Sequence, residues 1–133
     1  MKASVYHLQI NVRDAAVSMP FYRDLLSYLE YHVMVGTPEL LGMSNGTTDF
    51  WIVGTPAERT SVRPHRKNAG LNHVAFRVTA RADVDRFHAE FLKPRAIPVL
   101  YGGPRDYPQY RPGYYATFFE DPDRLKLEVV HIP

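Results

Sequence analysis

Apolar and polar residues alternate at period two in "HLQINV" (residues 7–12) and again in "HVAFRV" (73–78). Leu8, Ile10 and Val12 fall on one face of the first stretch, and Val74, Phe76 and Val78 on one face of the second. His7, Gln9 and Asn11, and likewise His73, Ala75 and Arg77, are left on the opposite faces. Both stretches read as strands with one buried face.

The spacing then changes to three and four, as in an amphipathic helix. After the first strand, Asp14 is a cap and the helix runs to about Leu26, with Val17, Phe21 and Leu25 on its apolar stripe. Pro20 removes a donor there, which predicts a kink or a start delayed to Ser18. The second helix spans about Ala82 to Leu92 and ends before Pro94. Shorter extended runs follow each helix: 28–35, 39–44 and 49–54 in the first half, and 97–102, 114–120 and 125–131 in the second. Asp121-Pro122-Asp123-Arg124 is a type I turn by its chemistry.

The two halves are copies. At an offset of 73 − 7 = 66, His7 meets His73, Val12 meets Val78, Ala16 meets Ala82, Phe21 meets Phe87 and Leu26 meets Leu92. Two long copies imply one supersecondary unit used twice, here strand, helix and three strands. Eight strands and two helices account for nearly the whole chain, an α+β protein. Module one spans about 4–54, a linker about 55–70, and module two about 71–132, within one domain of 133 residues.

Glu128 shares with the two histidines a place opposite its strand's apolar stripe, which is Leu125, Leu127 and Val129. Those opposite faces either meet solvent or line a cavity. Two neutral imidazoles and one carboxylate on one surface form a metal site that leaves positions open for substrate. Three solvated residues are the competing reading.

Composition narrows the chemistry. The absence of cysteine excludes disulfides, thiolate metal sites and cysteine nucleophiles. A net charge of +2 gives no argument for nucleic acid, and the basic run at 59–67 reads as a solvated linker around Pro64. No stretch approaches the roughly 20 apolar residues of a membrane span. The expected location is cytoplasmic, with neither nucleic acid nor membrane as a partner.

Together, "HLQINVRD…FYRDLL", "LNHVAFRV" and "GYYATFFEDPDRLKLEVV" resemble the vicinal oxygen chelate superfamily, the glyoxalase/bleomycin-resistance/extradiol-dioxygenase family. The likeness covers essentially the whole chain. It implies two tandem βαβββ modules whose curved mixed sheets enclose a metal and ligand cleft. It also implies His7, His73 and Glu128 as ligands to a divalent ion such as Fe, Mn, Zn or Ni. Aligning "DFWIV" with "KLEVV" puts Trp51 opposite Glu128, where glyoxalase I enzymes carry a fourth ligand. Arg124 replaces the family's turn glycine, and Ser27 stands where a helix-ending glycine is usual.

The resemblance implies a metal-dependent enzyme acting on a small molecule with adjacent oxygens, of lyase or isomerase, dioxygenase or transferase type. Tyr114 or Tyr115 would donate a hydrogen bond or act as acid. The alternative is a non-enzymatic protein that binds an aromatic compound. The Tyr- and Pro-rich loop 101–115 frames a ligand pocket with Trp51, or else packs on a sheet edge or a partner. Arg111 would hold a substrate carboxylate. A homodimer is the expected assembly.

Overall fold

The computed structural model describes residues 1–62 and 65–133. Arg63 and Pro64, inside the expected linker, lie outside the described residues. The chain divides into two compact units, Met1–Arg63 and Pro64–Pro133, each considered by itself.

The first unit runs β1 (His7–Val12), α1 (Ala15–Tyr28), β2 (His32–Gly36), β3 (Leu40–Ser44) and β4 (Asp49–Gly54). The second runs β5 (His73–Val78), α2 (Arg81–Phe87), β6 (Val99–Asp106), β7 (Tyr115–Glu120) and β8 (Lys126–His131). Each forms an open four-stranded mixed sheet, in the orders β1-β4-β3-β2 and β5-β8-β7-β6. The expected βαβββ unit is present twice. β1 pairs parallel with β4 and β5 with β8, while the remaining pairs are antiparallel. Bounds differ from expectation chiefly after the helices: β2 starts at His32, since α1 continues to Tyr28, and β6 extends to Asp106.

In α1, the Asp14 side chain accepts from the Ala16 N–H at 3.0 Å, so the start is not delayed. Pro20 lies inside the helix and is exposed. The buried stripe is not the expected one. Val17 is exposed and Phe21 only half-buried, whereas Ser18, Met19, Tyr22, Leu25 and Leu26 are buried. Val17, Pro20, Phe21 and Asp24 share a face. That face holds a proline, a charge and an Ala16 carbonyl deprived of its helical donor, so it turns to solvent. Ser18 is thereby carried into the core, where its Oγ has no hydrogen-bond partner. Burying four large side chains at roughly 1.5–3 kcal/mol each outweighs the roughly 3 kcal/mol cost of an interior proline.

α2 continues as a wider π-type turn over His88–Leu92, closed by Lys93 N–H donating to the His88 carbonyl at 3.0 Å. Val84, Phe87, Phe91 and Leu92 are buried, with Phe87 and Phe91 stacked at 5.1 Å.

Both helices end in the same way. Glu30 donates to the Ser27 carbonyl and Tyr31 to that of Leu26, at 3.1 and 2.8 Å. Ala96 donates to Lys93 and Ile97 to Leu92, at 3.0 and 3.1 Å, every position advanced by 66. These are Schellman closures, in which one residue must be left-handed. That residue is Glu30 (φ 65°) in one copy and Ala96 (φ 52°) in the other, not Ser27. Arg124 is left-handed too (φ 69°), completing a turn in which its N–H donates to the Asp121 carbonyl at 2.9 Å. A side chain in that conformation costs about 1–2 kcal/mol. We expect Glu30→Gly, Ala96→Gly and Arg124→Gly each to stabilise the fold by about 1 kcal/mol, raising Tm by a few degrees in thermal unfolding. The exposed Arg124–Glu120 pair given up in the last variant contributes too little to reverse the sign.

Candidate functional site

In the second unit, the parallel register of β5 and β8 sets His73 beside Lys126 and Ala75 beside Glu128. All four share the face of the sheet opposite α2. Ala75 is small, which leaves room for a diagonal contact: His73 Nε2 lies 3.1 Å from Glu128 Oε2. His73 is part-exposed, whereas the Glu128 side chain is fully buried.

Glu128 is buried because the loop after β6 folds over this face. Backbone bonds from Tyr107 to Tyr114, Tyr110 to Tyr107 and Tyr114 to Arg111 form that loop as consecutive turns. Tyr107 then packs with Ala116, Phe118 and Val130, with Leu100, Tyr114 and Ile132 around them. Its ring meets Phe118 edge-on at 5.2 Å and stacks on Tyr110 at 5.7 Å. β6 accommodates the loop by a bulge: Leu100 pairs with Phe118 and Arg105 with Ala116, so the four residues 101–104 of β6 lie opposite Thr117 alone on β7. Tyr101, Gly102 and Gly103 in the bulge all have positive φ.

The carboxylate is half satisfied. Tyr114 donates its hydroxyl to Glu128 Oε1 at 2.5 Å, while Oε2 has no hydrogen-bond partner. Burial, and then the bond to Glu128, raise the Tyr114 hydroxyl well above the usual tyrosine range, so it remains a protonated donor. On the histidine side, Asn72 Nδ2 donates to the Arg66 carbonyl at 2.8 Å, which turns Asn72 Oδ1 toward His73 Nδ1 at 2.7 Å. A neutral His73 therefore carries its proton on Nδ1 and presents the lone pair of Nε2.

With His73 neutral, Nε2 and Oε2 approach to 3.1 Å with a lone pair on each, and Oε2 has no hydrogen-bond partner. Two donors about 2.0–2.2 Å from one divalent ion, at about a right angle, lie about 3 Å apart. The pair fits a metal ion by donor type, by spacing and by the orphaned buried oxygen. A histidine oriented by an amide and a carboxylate oriented by a phenol are the outer contacts such ligands need. Among the described residues, no group of three His, Asp or Glu side chains is gathered in a metal-holding arrangement.

The other expected residues are placed as follows. His7 is exposed on β1, beside Asp49 in register, as His73 is beside Lys126 on β5. Trp51 pairs with Gln9 and Gly42, as Glu128 pairs with Ala75 and Phe118, so Trp51 is the register equivalent of Glu128. Its indole lies across Gly42, where an added Cβ would come within 2.5 Å of the ring. Tyr115 is not brought to the His73–Glu128 pair. It adjoins Tyr114 and points to the other face, where its hydroxyl donates to Asp85 at 2.6 Å and Arg81 lies over its ring at 3.9 Å. The bond to Asp85 pushes its hydroxyl up to about 12. Arg111 is exposed in the loop. Asn72 was not expected at the site, and Tyr107 only as one of the tyrosines of the loop 101–115. Asn72 precedes His73 directly, the one signal that could have marked it; Tyr107 is one of five tyrosines in its loop, with no period to single it out.

Comparison with known proteins agrees with the fold. The family model for the Glyoxalase/Bleomycin resistance protein/Dioxygenase superfamily matches residues 4–129. The chain is 33% identical over 130 residues to the uncharacterized protein YqjT of Bacillus subtilis (strain 168), covering 95% of this chain and 97% of that protein. A crystal structure from Bacillus halodurans, provisionally described as a glyoxalase, superposes with a TM-score of 0.83 at 33% identity, covering 96% of this chain and 95% of that one. The lactoylglutathione lyase of Agrobacterium tumefaciens shares the fold, with a TM-score of 0.70 at 20% identity over 98% of this chain and 94% of its own. No helix among the described residues is long and apolar enough to cross a membrane. From its matched length, its two βαβββ units and its identity to these relatives, the chain belongs to the glyoxalase/bleomycin resistance protein/dioxygenase superfamily.

Proposed function

We propose that the protein is a metal-dependent enzyme acting on a small molecule that offers two adjacent oxygens. The observation that carries this reading is the His73 Nε2–Glu128 Oε2 contact at 3.1 Å, two donor atoms facing one region with the buried oxygen lacking a hydrogen-bond partner. The superfamily generally uses a divalent ion and binds small molecules. His73 and Glu128 are the two donors that the second unit supplies, and His7 holds in β1 of the first unit the position of His73 in β5. A divalent ion held by this set is a Lewis acid that binds paired oxygens and stabilises negative charge developing on them.

The chain's own residues have distinct tasks. Asn72 fixes the tautomer and plane of His73. Tyr114 holds Glu128 by one oxygen and leaves the other available. With its hydroxyl raised, Tyr114 acts as an orienting donor rather than an acid that gives up its proton at neutral pH. Tyr107 and Phe118 keep water from the carboxylate, which strengthens its interaction with any cation. Because the first unit carries Trp51 at the register equivalent of Glu128, we propose a centre distinct from that of glyoxalase I, with the small-molecule reaction in the cytoplasm.

Protein loaded with divalent ion and dialysed is expected to hold about one equivalent per chain, with His73→Ala and Glu128→Gln holding none by elemental analysis. A His73→Ala variant with unchanged metal content overturns the reading. After chelator treatment, Glu128→Gln is expected to melt at a higher temperature than the wild type. A neutral amide there relieves a buried, half-satisfied charge whose role is to bind a ligand rather than to hold the fold. Tyr114→Phe is expected to weaken metal affinity by about tenfold, the size of effect that outer contacts have on metal sites.

A second reading, a protein that sequesters a planar aromatic compound, is favoured by one observation: an indole laid flat across Gly42 where the other unit carries a carboxylate. It predicts that planar ligands quench the single tryptophan as strongly after chelator treatment as before. Quenching that vanishes with the metal removes this reading and keeps the first.

A further inference from the structure

Lys126 is a charged side chain with 8% of its surface exposed. It stands on the same face as His73 and Glu128, beside the first in register and two residues from the second along β8. The carboxylate nearest it in register, Glu120, is already engaged: Oε1 accepts from Arg66 at 2.9 Å and Oε2 from Arg124 at 3.2 Å. Lys126 forms no ion pair among the described residues. Its Nζ lies instead over two rings, 4.4 Å from the centroid of Phe118 and 5.1 Å from that of Tyr101. Ring faces replace only part of the hydration an ammonium gives up on burial. A second polar group on the same face is also unanswered, since the Tyr107 hydroxyl is buried with no hydrogen-bond partner while its ring packs on Phe118.

We infer that Lys126 is the specificity-determining residue of the site and that the ligand it selects is an anion, a small carboxylate whose acid group lies next to a second oxygen. The inference rests on the reading of His73 and Glu128 as the ligand centre and adds the charge of what binds there. Such a ligand brings Lys126 the counter-charge that Glu120 withholds. A neutral diol or diketone would leave the lysine buried on its rings as before. The rings of Phe118 and Tyr101, held edge to face at 5.5 Å, flank the ammonium and suit a ligand with an apolar body beyond its acid group.

Mandelate and 1-phenylethane-1,2-diol test this, since both carry a ring and adjacent oxygens and only the first is charged. Titration calorimetry of the full chain, metal-loaded and chelator-treated, is expected to show mandelate binding at least tenfold more tightly than the diol in both forms. Lys126→Met is expected to lower mandelate affinity to that of the diol, and Lys126→Arg to restore the preference. No mandelate binding to the wild type, or an unchanged preference in Lys126→Met, overturns the inference. Failure of the wild type to hold metal, with a Lys126-dependent preference intact in the chelator-treated protein, instead overturns the metal reading and leaves the assignment of Lys126 standing.

Discussion

A carboxylate with no exposed surface, hydrogen-bonded by a phenol on one oxygen and met on the other only by the His73 ring, is the constraint around which the second unit is built. An ionised carboxyl in such a place is unfavourable unless a cation completes it. The unit shields it with Tyr107, Tyr114 and Phe118, directs His73 at it through Asn72, and leaves Lys126 within the same shelter. The alternation of β5 and β8 sets which side chains share that face. The loop after β6 turns a solvated face into a dry one.

The first unit shows what the same architecture does without that constraint. Its β1 and β4 repeat the parallel pairing, and the register equivalent of the carboxylate is Trp51. Gly42 stands where the second unit has Phe118, and the space that this saves is taken by the indole. One βαβββ unit therefore presents an aromatic plane and the other a charged pair.

Much of this was legible in the sequence. Strand alternation and the offset of 66 gave both units and the shared face of His73 and Glu128, because burial on one side of a sheet leaves a period-two record. The α1 stripe was misjudged by one residue's rotation, because hydrophobicity favoured Val17 and Phe21 while Pro20 and Asp24 required that side to face water. Glu30 and Ala96 left no signal of their left-handed backbone, and Arg124 only by standing in place of the family's turn glycine; all three adopt it because the closing hydrogen bonds demand it, not because their side chains favour it. The depth of Glu128 could not be read either, since the residues covering it come from an aperiodic loop. Tyr114 and Tyr115 looked alike in the sequence, and the start of β7 turns these neighbours to opposite faces.

The units also differ in where they tolerate added length. From helix closure to third strand, Glu30 corresponds to Ala96 at 66 while Gly42 corresponds to Phe118 at 118 − 42 = 76, so the second unit holds ten more residues in this interval. The pairing of β7 with β8 nevertheless resumes as in β3 with β4. Closing a longer loop costs only the logarithm of its length. The segment that covers the carboxylate can therefore lengthen, shorten or change composition while the strands beneath keep their register. A lineage using this scaffold can exchange one chemical preference for another by editing that span alone.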